Sequence, residues 1–172
     1  MKLYASQFNV IARDIVRTLQ KSELIDIEKD LMDEAELDIV GVLKEYNRMD
    51  RQLTNAARDA AGSDGRAAEG REKARMAREK NFRTGEEAME YIVAQIMETF
   101  MQSDNISEIF GTDAELRRSL TLVLRRYTQD KTEELDVEVR SKLKNIQEGT
   151  SAWDIEYARM MEKVKQRKGL AD

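Results

Sequence analysis

The feature that most constrains this chain is an internal recurrence. Laying Phe8–Tyr46 over Met89–Tyr127, an ungapped shift of 81 positions, gives nine identities in 39 positions. They are Ile11/Ile92, Ile15/Ile96, Thr18/Thr99, Ser22/Ser103, Ile25/Ile106, Glu34/Glu115, Val42/Val123, Leu43/Leu124 and Tyr46/Tyr127. Leu19/Phe100, Ile39/Leu120 and Lys44/Arg125 keep size or charge. Later the shift becomes 84, where Ala74-Arg75-Met76 meets Ala158-Arg159-Met160 and Gly85 meets Gly169. A period this long exceeds a solenoid unit and reads as a small domain present twice. The expected organisation is a first helical repeat at 1–83 and a second at 84–172. A domain of this size buries only about 60% of its unfolded surface, so the two copies are expected to pack together, with pseudo-twofold symmetry.

The 172-residue chain has no proline and eight glycines, and it is rich in Glu, Lys, Arg, Ala, Leu and Met. These are strong helix formers, and no stretch alternates β-branched with polar residues. The fold expected is therefore all-α, a helical bundle built from two tandem copies of a three- to four-helix unit.

Helix boundaries follow from caps and apolar spacing. Ser6 reads as an N-cap, opening a helix to about Lys21 with an apolar stripe of Phe8, Ile11, Ile15, Val16 and Leu19. Ser22–Glu28 reads as an extended connection. A second helix is expected from Lys29 or Asp30, its acidic first turn suited to the helix dipole. Its apolar face leaves two ends open, near Asn47 or at Ala61. Gly62-Ser63-Asp64-Gly65 is a break, and Ala67–Asn81 a further helix. In the second half, Thr84 with Glu87 and Thr112 with Glu115 read as capping boxes, and Ser151 with Asp154 caps a last helix ending near Gly169.

The residues present exclude much chemistry. Cysteine and histidine are both absent, which removes disulfides, thiolate nucleophiles, the commonest transition-metal ligands and the commonest general base. The acidic run Asp26–Asp38 lacks the glycine turn of a calcium loop, and its carboxylates fall on different helix faces. Gly62-Ser63-Asp64-Gly65 lacks the ending of a phosphate-binding loop. No catalytic, cofactor or metal residues are assigned, no cofactor is expected, and the chain reads as not an enzyme. No run of 18 apolar residues exists, so membrane insertion is not expected. The opening Met1–Ala5 runs into an amphipathic helix without an apolar signal core, so the expected location is the cytoplasm.

The net charge of −5 lies in the second half, with 13 basic and 18 acidic residues against 16 of each through Arg83. Two stretches run the other way. Arg66–Arg83 holds seven basic and three acidic residues, and Arg159–Lys168 five and one. On helices these become stripes able to meet phosphates: Arg66, Arg71, Lys73, Arg75, Arg78 and Arg83, joined by Arg159, Lys163 and Lys165. The plainer reading is ion pairing along exposed helices. Methionines such as Met76, Met89, Met97 and Met160 read first as core fillers, with an adaptable partner surface as the sharper alternative. Trp153 reads as a staple for the last helix.

The opening MKLYASQFNVIARDIVRTLQKSELIDIE (Met1–Glu28), the segment LKEYNRMD (Leu43–Asp50) and the ending KNIQEGTSAWDIEYARMMEKVKQRKGL (Lys144–Leu170) together resemble bacterial domain-of-unknown-function family 507 over essentially the full length. Glu148-Gly149-Thr150, followed by Lys163-Val164-Lys165 and Arg167-Lys168-Gly169-Leu170, carries most of the likeness. The resemblance implies a helical protein in its long, two-copy form and supplies no activity, ligand or catalytic residue. The functional expectation is a non-catalytic cytoplasmic protein-interaction or scaffold module, binding a protein partner of unknown identity or a second copy of itself. The alternative is a nucleic-acid-associated protein using the basic helices 66–83 and 159–168.

Overall fold

Two short amphipathic helices cannot hide their apolar stripes alone, and the chain solves this by laying each across two long ones. A computed structural model of the chain describes residues 3–63, 65–168 and 170, apart from the side chains of 129–133. The element order is α1 (Phe8–Lys21), β1 (Ile25–Asp26), α2 (Met32–Ala61), α3 (Arg66–Glu79), α4 (Ala88–Gln102), β2 (Glu108–Ile109), α5 (Asp113–Lys142) and α6 (Ser151–Arg167). A 3₁₀ turn precedes both α1 (Ala5–Gln7) and α4 (Gly85–Glu87). The order 3₁₀ turn, short helix, two-residue strand, 30-residue helix, short helix thus occurs twice.

The all-α class holds. Helices α1 and α4 each pack against both α2 and α5. Ile11, Ile15 and Leu19 of α1, Ile92 and Ile96 of α4, Ile39 and Leu43 of α2 and Leu120 and Leu124 of α5 are fully buried in one cluster. Each such side chain contributes about 1.5–3 kcal/mol of burial free energy. Residues from 1–83 and from 84–172 are interleaved in this core.

The connections at one end are tied together. Helix α1 stops in a Schellman motif: Glu23 takes positive φ, its N–H meets the Gln20 carbonyl and the Leu24 N–H meets the Leu19 carbonyl. β1 then pairs antiparallel with β2, Ile25 opposite Ile109. The N–H groups of Phe110 and Gly111 donate to the Leu24 carbonyl at 3.0 and 2.9 Å. At this end α1 and α4 finish while α2 and α5 begin. Helix α2 runs through Asn47 to Ala61 and stops at Gly62, whose φ is 52°. α3 returns antiparallel beside it, through Lys73–Asp50 and Arg58–Glu69 pairs. α6 packs on the second half of α5 over a smaller cluster of Tyr4, Leu135, Val139, Leu143, Val164 and Leu170.

Three expected caps are corrected. Ser6 and Thr84 do not cap α1 and α4, because the chain enters both through the 3₁₀ turns and the N-caps are Gln7 and Glu87, without side-chain cap bonds. The Glu87 carboxylate is taken by Arg83 instead. The last helix is capped one residue earlier than expected, by Thr150, whose hydroxyl accepts from the Trp153 N–H. The box at Thr112 and Glu115 forms as expected, with both reciprocal bonds. The last helix ends at Arg167, and the expected stop at Gly169 lies outside the described residues.

Two glycines give opposite predictions. A Cβ on Gly111 meets Leu24 at 2.9 Å, so Gly111→Ala should cost about 1–3 kcal/mol through overpacking. A Cβ on Gly41, inside α2, meets nothing within 4 Å, so Gly41→Ala should gain roughly 0.5–1 kcal/mol in helix propensity. Urea denaturation of both variants checks the pair; equal effects would contradict the close packing at Gly111.

Candidate functional site

Because α4 lies antiparallel to α2, a groove of about 480 Å³ runs between them. Val42, Met49 and Ile92 form its floor with an aromatic cluster of Tyr46, Phe82 and Tyr91. Tyr46 and Phe82 stack at 5.0 Å between centroids, and Tyr91 meets Phe82 edge-on at 5.1 Å. A second Schellman motif delivers Phe82: Asn81 takes positive φ at the end of α3, and the Phe82 N–H donates to the Ala77 carbonyl. The Tyr46 hydroxyl donates to the Arg83 carbonyl at 3.3 Å, and burial, with Asp50 nearby, pushes its pKa well above the usual phenol value.

The rim is polar and acidic. Asp38 accepts from the Ser103 hydroxyl and from the Asn105 amide at 2.9 Å, tying α2 to the end of α4. It carries no ion pair among the described residues. Glu45 holds Arg48 through two bonds of 2.6 and 2.7 Å, and that pairing lowers its carboxyl pKa. Gln95 and Thr99 complete the α4 side, and Gly41 leaves the α2 wall without a side chain. Among the described residues, no cation lines this groove.

The nine basic residues singled out in the sequence are distributed unevenly. α3 carries Arg66, Arg71, Lys73, Arg75 and Arg78, with Arg83 in the following turn; α6, on the other long helix, carries Arg159, Lys163 and Lys165. Four are consumed by acids. Lys73 reaches Asp50 at 2.7 Å, Arg75 sits between Glu72 and Glu79, Arg83 meets Glu87 and Arg159 meets Glu156. Lys165 is also engaged. Arg66, Arg71, Arg78 and Lys163 are exposed and carry no ion pair among the described residues. A cleft that sequence reasoning missed lies between the first turn of the chain and α2, lined by Lys44, Arg48 and Arg51 with Asn47, Gln52 and Asn55. Two of its cations are already engaged, Arg48 by Glu45.

The groove itself was also missed. Its signal was present in the repeat alignment, where Gly41 stands opposite Leu122, Glu45 opposite Arg126 and Gln95 opposite Asp14. Between α1 and α5 that alternative set closes on itself: Arg126 meets Asp14 at 3.4 Å and the Tyr127 hydroxyl donates to Asp14. The described residues contain no cluster of three or more metal-ligating side chains, and none of their helices is long and apolar enough to cross a membrane.

On α5, Glu138 gathers Lys142, Arg167 and Lys168. Lys168 foremost, with Lys142 and Arg167, holds its carboxyl at about 2, below the ordinary 4.5. A depressed carboxylate stabilises the fold above its unfolded pKa, and that contribution is lost as pH falls through the folded value. Glu138→Gln should therefore lower the urea midpoint at neutral pH, and the gap to wild type should close between about 4.5 and about 2. A gap independent of pH would rule out this role for the cluster.

No curated protein matches the sequence. A family model does match, over residues 1–170, and its family is described as Protein of unknown function (DUF507). With the match spanning essentially the whole chain and the helical architecture in agreement with the resemblance at both termini, the protein belongs to the DUF507 family.

Proposed function

We propose that this chain is a non-catalytic protein-interaction module that offers the α2/α4 groove to a partner. The observation that carries the reading is the groove: an apolar and aromatic floor, on helices held by a common core, with no side chain of the chain laid across it at Gly41. Helix-lined grooves of this kind receive amphipathic segments. Exposed Leu37 supports it, since it lies one helical turn before Gly41 on α2. The scaffold fits a binding role better than catalysis, because a chain without His or Cys has few groups to move protons or attack carbonyls. We take the module to work in the cytoplasm, which a cysteine-free and highly charged chain supports.

A nucleic-acid role keeps one supporting observation, the exposed Arg66, Arg71 and Arg78 on α3, which carry no ion pair among the described residues. Against it, Lys73, Arg75, Arg83 and Arg159 already meet acids, so fewer cations are left to displace counterions from phosphates. Affinity purification of the tagged protein from its own host, with and without nuclease, separates the two. The interaction reading expects a defined protein set that survives nuclease; a set that collapses on nuclease treatment, or none at all, overturns it.

A further inference from the structure

The repeat supplies an internal comparison for the groove. Under the 81-residue shift, the α2/α4 pair and the α1/α5 pair use equivalent positions and keep the same residue types, Ile92 and Ile11, Val42 and Val123, Tyr46 and Tyr127, buried or half-buried in each. They differ at the rim. On the α1/α5 side an acid, Asp14, and a cation, Arg126, satisfy one another across the helices, and Leu122 adds a side chain where α2 has Gly41. On the α2/α4 side the cation is replaced by Glu45 and the acid by neutral Gln95, so no internal pair bridges the rim. Two carboxylates remain on the wall: Glu45, already held by Arg48 of its own helix, and Asp38, which has no ionic partner among the described residues.

An acidic rim above an apolar floor selects its complement. We infer that the α2/α4 groove binds a basic amphipathic segment of a partner protein: an apolar side chain set on Val42, Met49 and Tyr91, with a lysine or arginine reaching Asp38. The missing Cβ at Gly41 lets the segment's backbone approach α2, and Gln95 and Thr99 offer polar groups to its flank. Opposite charge at the rim speeds docking and disfavours acidic segments, which face Asp38 with no ionic partner beside it among the described residues. This rests on the interaction reading above and adds to it the place and chemistry of the contact.

Two synthetic helical peptides test it, sharing one leucine face, with lysines on the polar face of one and glutamates on the other. Fluorescence anisotropy against the full chain should show the lysine peptide binding and the glutamate peptide not, with affinity falling as salt rises. Gly41→Leu, which restores the residue type of the other pair, should weaken binding at least about tenfold. That variant should remain folded, because position 41 is exposed and a Cβ there meets nothing within 4 Å. Asp38→Asn, a second and nearly isosteric variant, should weaken binding and flatten the salt dependence. Equal binding of both peptides, or binding untouched by either variant, overturns the assignment. So does sedimentation showing that Gly41→Leu abolishes self-association, which would make a second copy the occupant. If partners captured from the host survive nuclease while Gly41→Leu changes nothing, the groove assignment fails and the interaction reading stands. If no partner is captured, the interaction reading itself fails.

Discussion

Everything in this structure depends on burying the apolar stripes of α1 and α4. Helices of 14 and 15 residues are marginal in water by themselves, so they persist only where tertiary packing covers one face. Here each is covered by both long helices. The consequence is that no segment owns its core: Ile15 from the first half and Ile96 from the second both lie in one cluster with Leu43 and Leu124. The β1/β2 ladder and the bonds from Phe110 and Gly111 to Leu24 fasten this arrangement at the end where the long helices begin.

A shared core leaves the surfaces free to differ, and they do. Under the repeat shift the buried pairs Ile11/Ile92 and Ile15/Ile96 are retained, while Gly41, Glu45 and Gln95 stand against Leu122, Arg126 and Asp14. One helix pair carries an ion pair across its rim; the other presents carboxylates over aromatic rings. The outer helices diverge as well. α3 runs back along α2, with Lys73 on Asp50 and Glu69 near Arg58. α6 meets α5 differently: Asp136 reaches Tyr157, yet Glu138, two residues on, reaches Arg167 and Lys168. Arg140, stacked over Trp153 at 5.4 Å and joined to Asp136 and Glu148, makes that tryptophan part of the helix junction.

How much of this could be read in the sequence follows from the range of each interaction. Apolar spacing marked α1, α4 and the first halves of α2 and α5 because the stripe is written locally. The Thr112–Glu115 box was legible for the same reason, as both its bonds span three residues. Ser6 and Thr84 misled because a cap needs the backbone to enter in the right conformation, and the 3₁₀ turns take the chain past them first. The length of α2 was undecidable because Leu53, Ala57 and Ala61 form a sparse stripe whose partner, α3, is not yet in view. The Lys73–Asp50 pair is tertiary and invisible in sequence, whereas Glu72–Arg75–Glu79 follows helix spacing. The groove stayed hidden because its defining feature at Gly41 is a side chain that is not there.

The central claim is that the two recurrent segments form one core rather than two. Expressing 1–83 and 84–172 separately, then mixing them, tests this most directly, by circular dichroism and thermal unfolding. Interdependent segments should each show weak, non-cooperative unfolding alone and recover native helix content and a single cooperative transition when combined. A cooperative transition in either segment alone, at the midpoint of the full chain, would contradict the shared core and with it the account of why the α2/α4 groove exists.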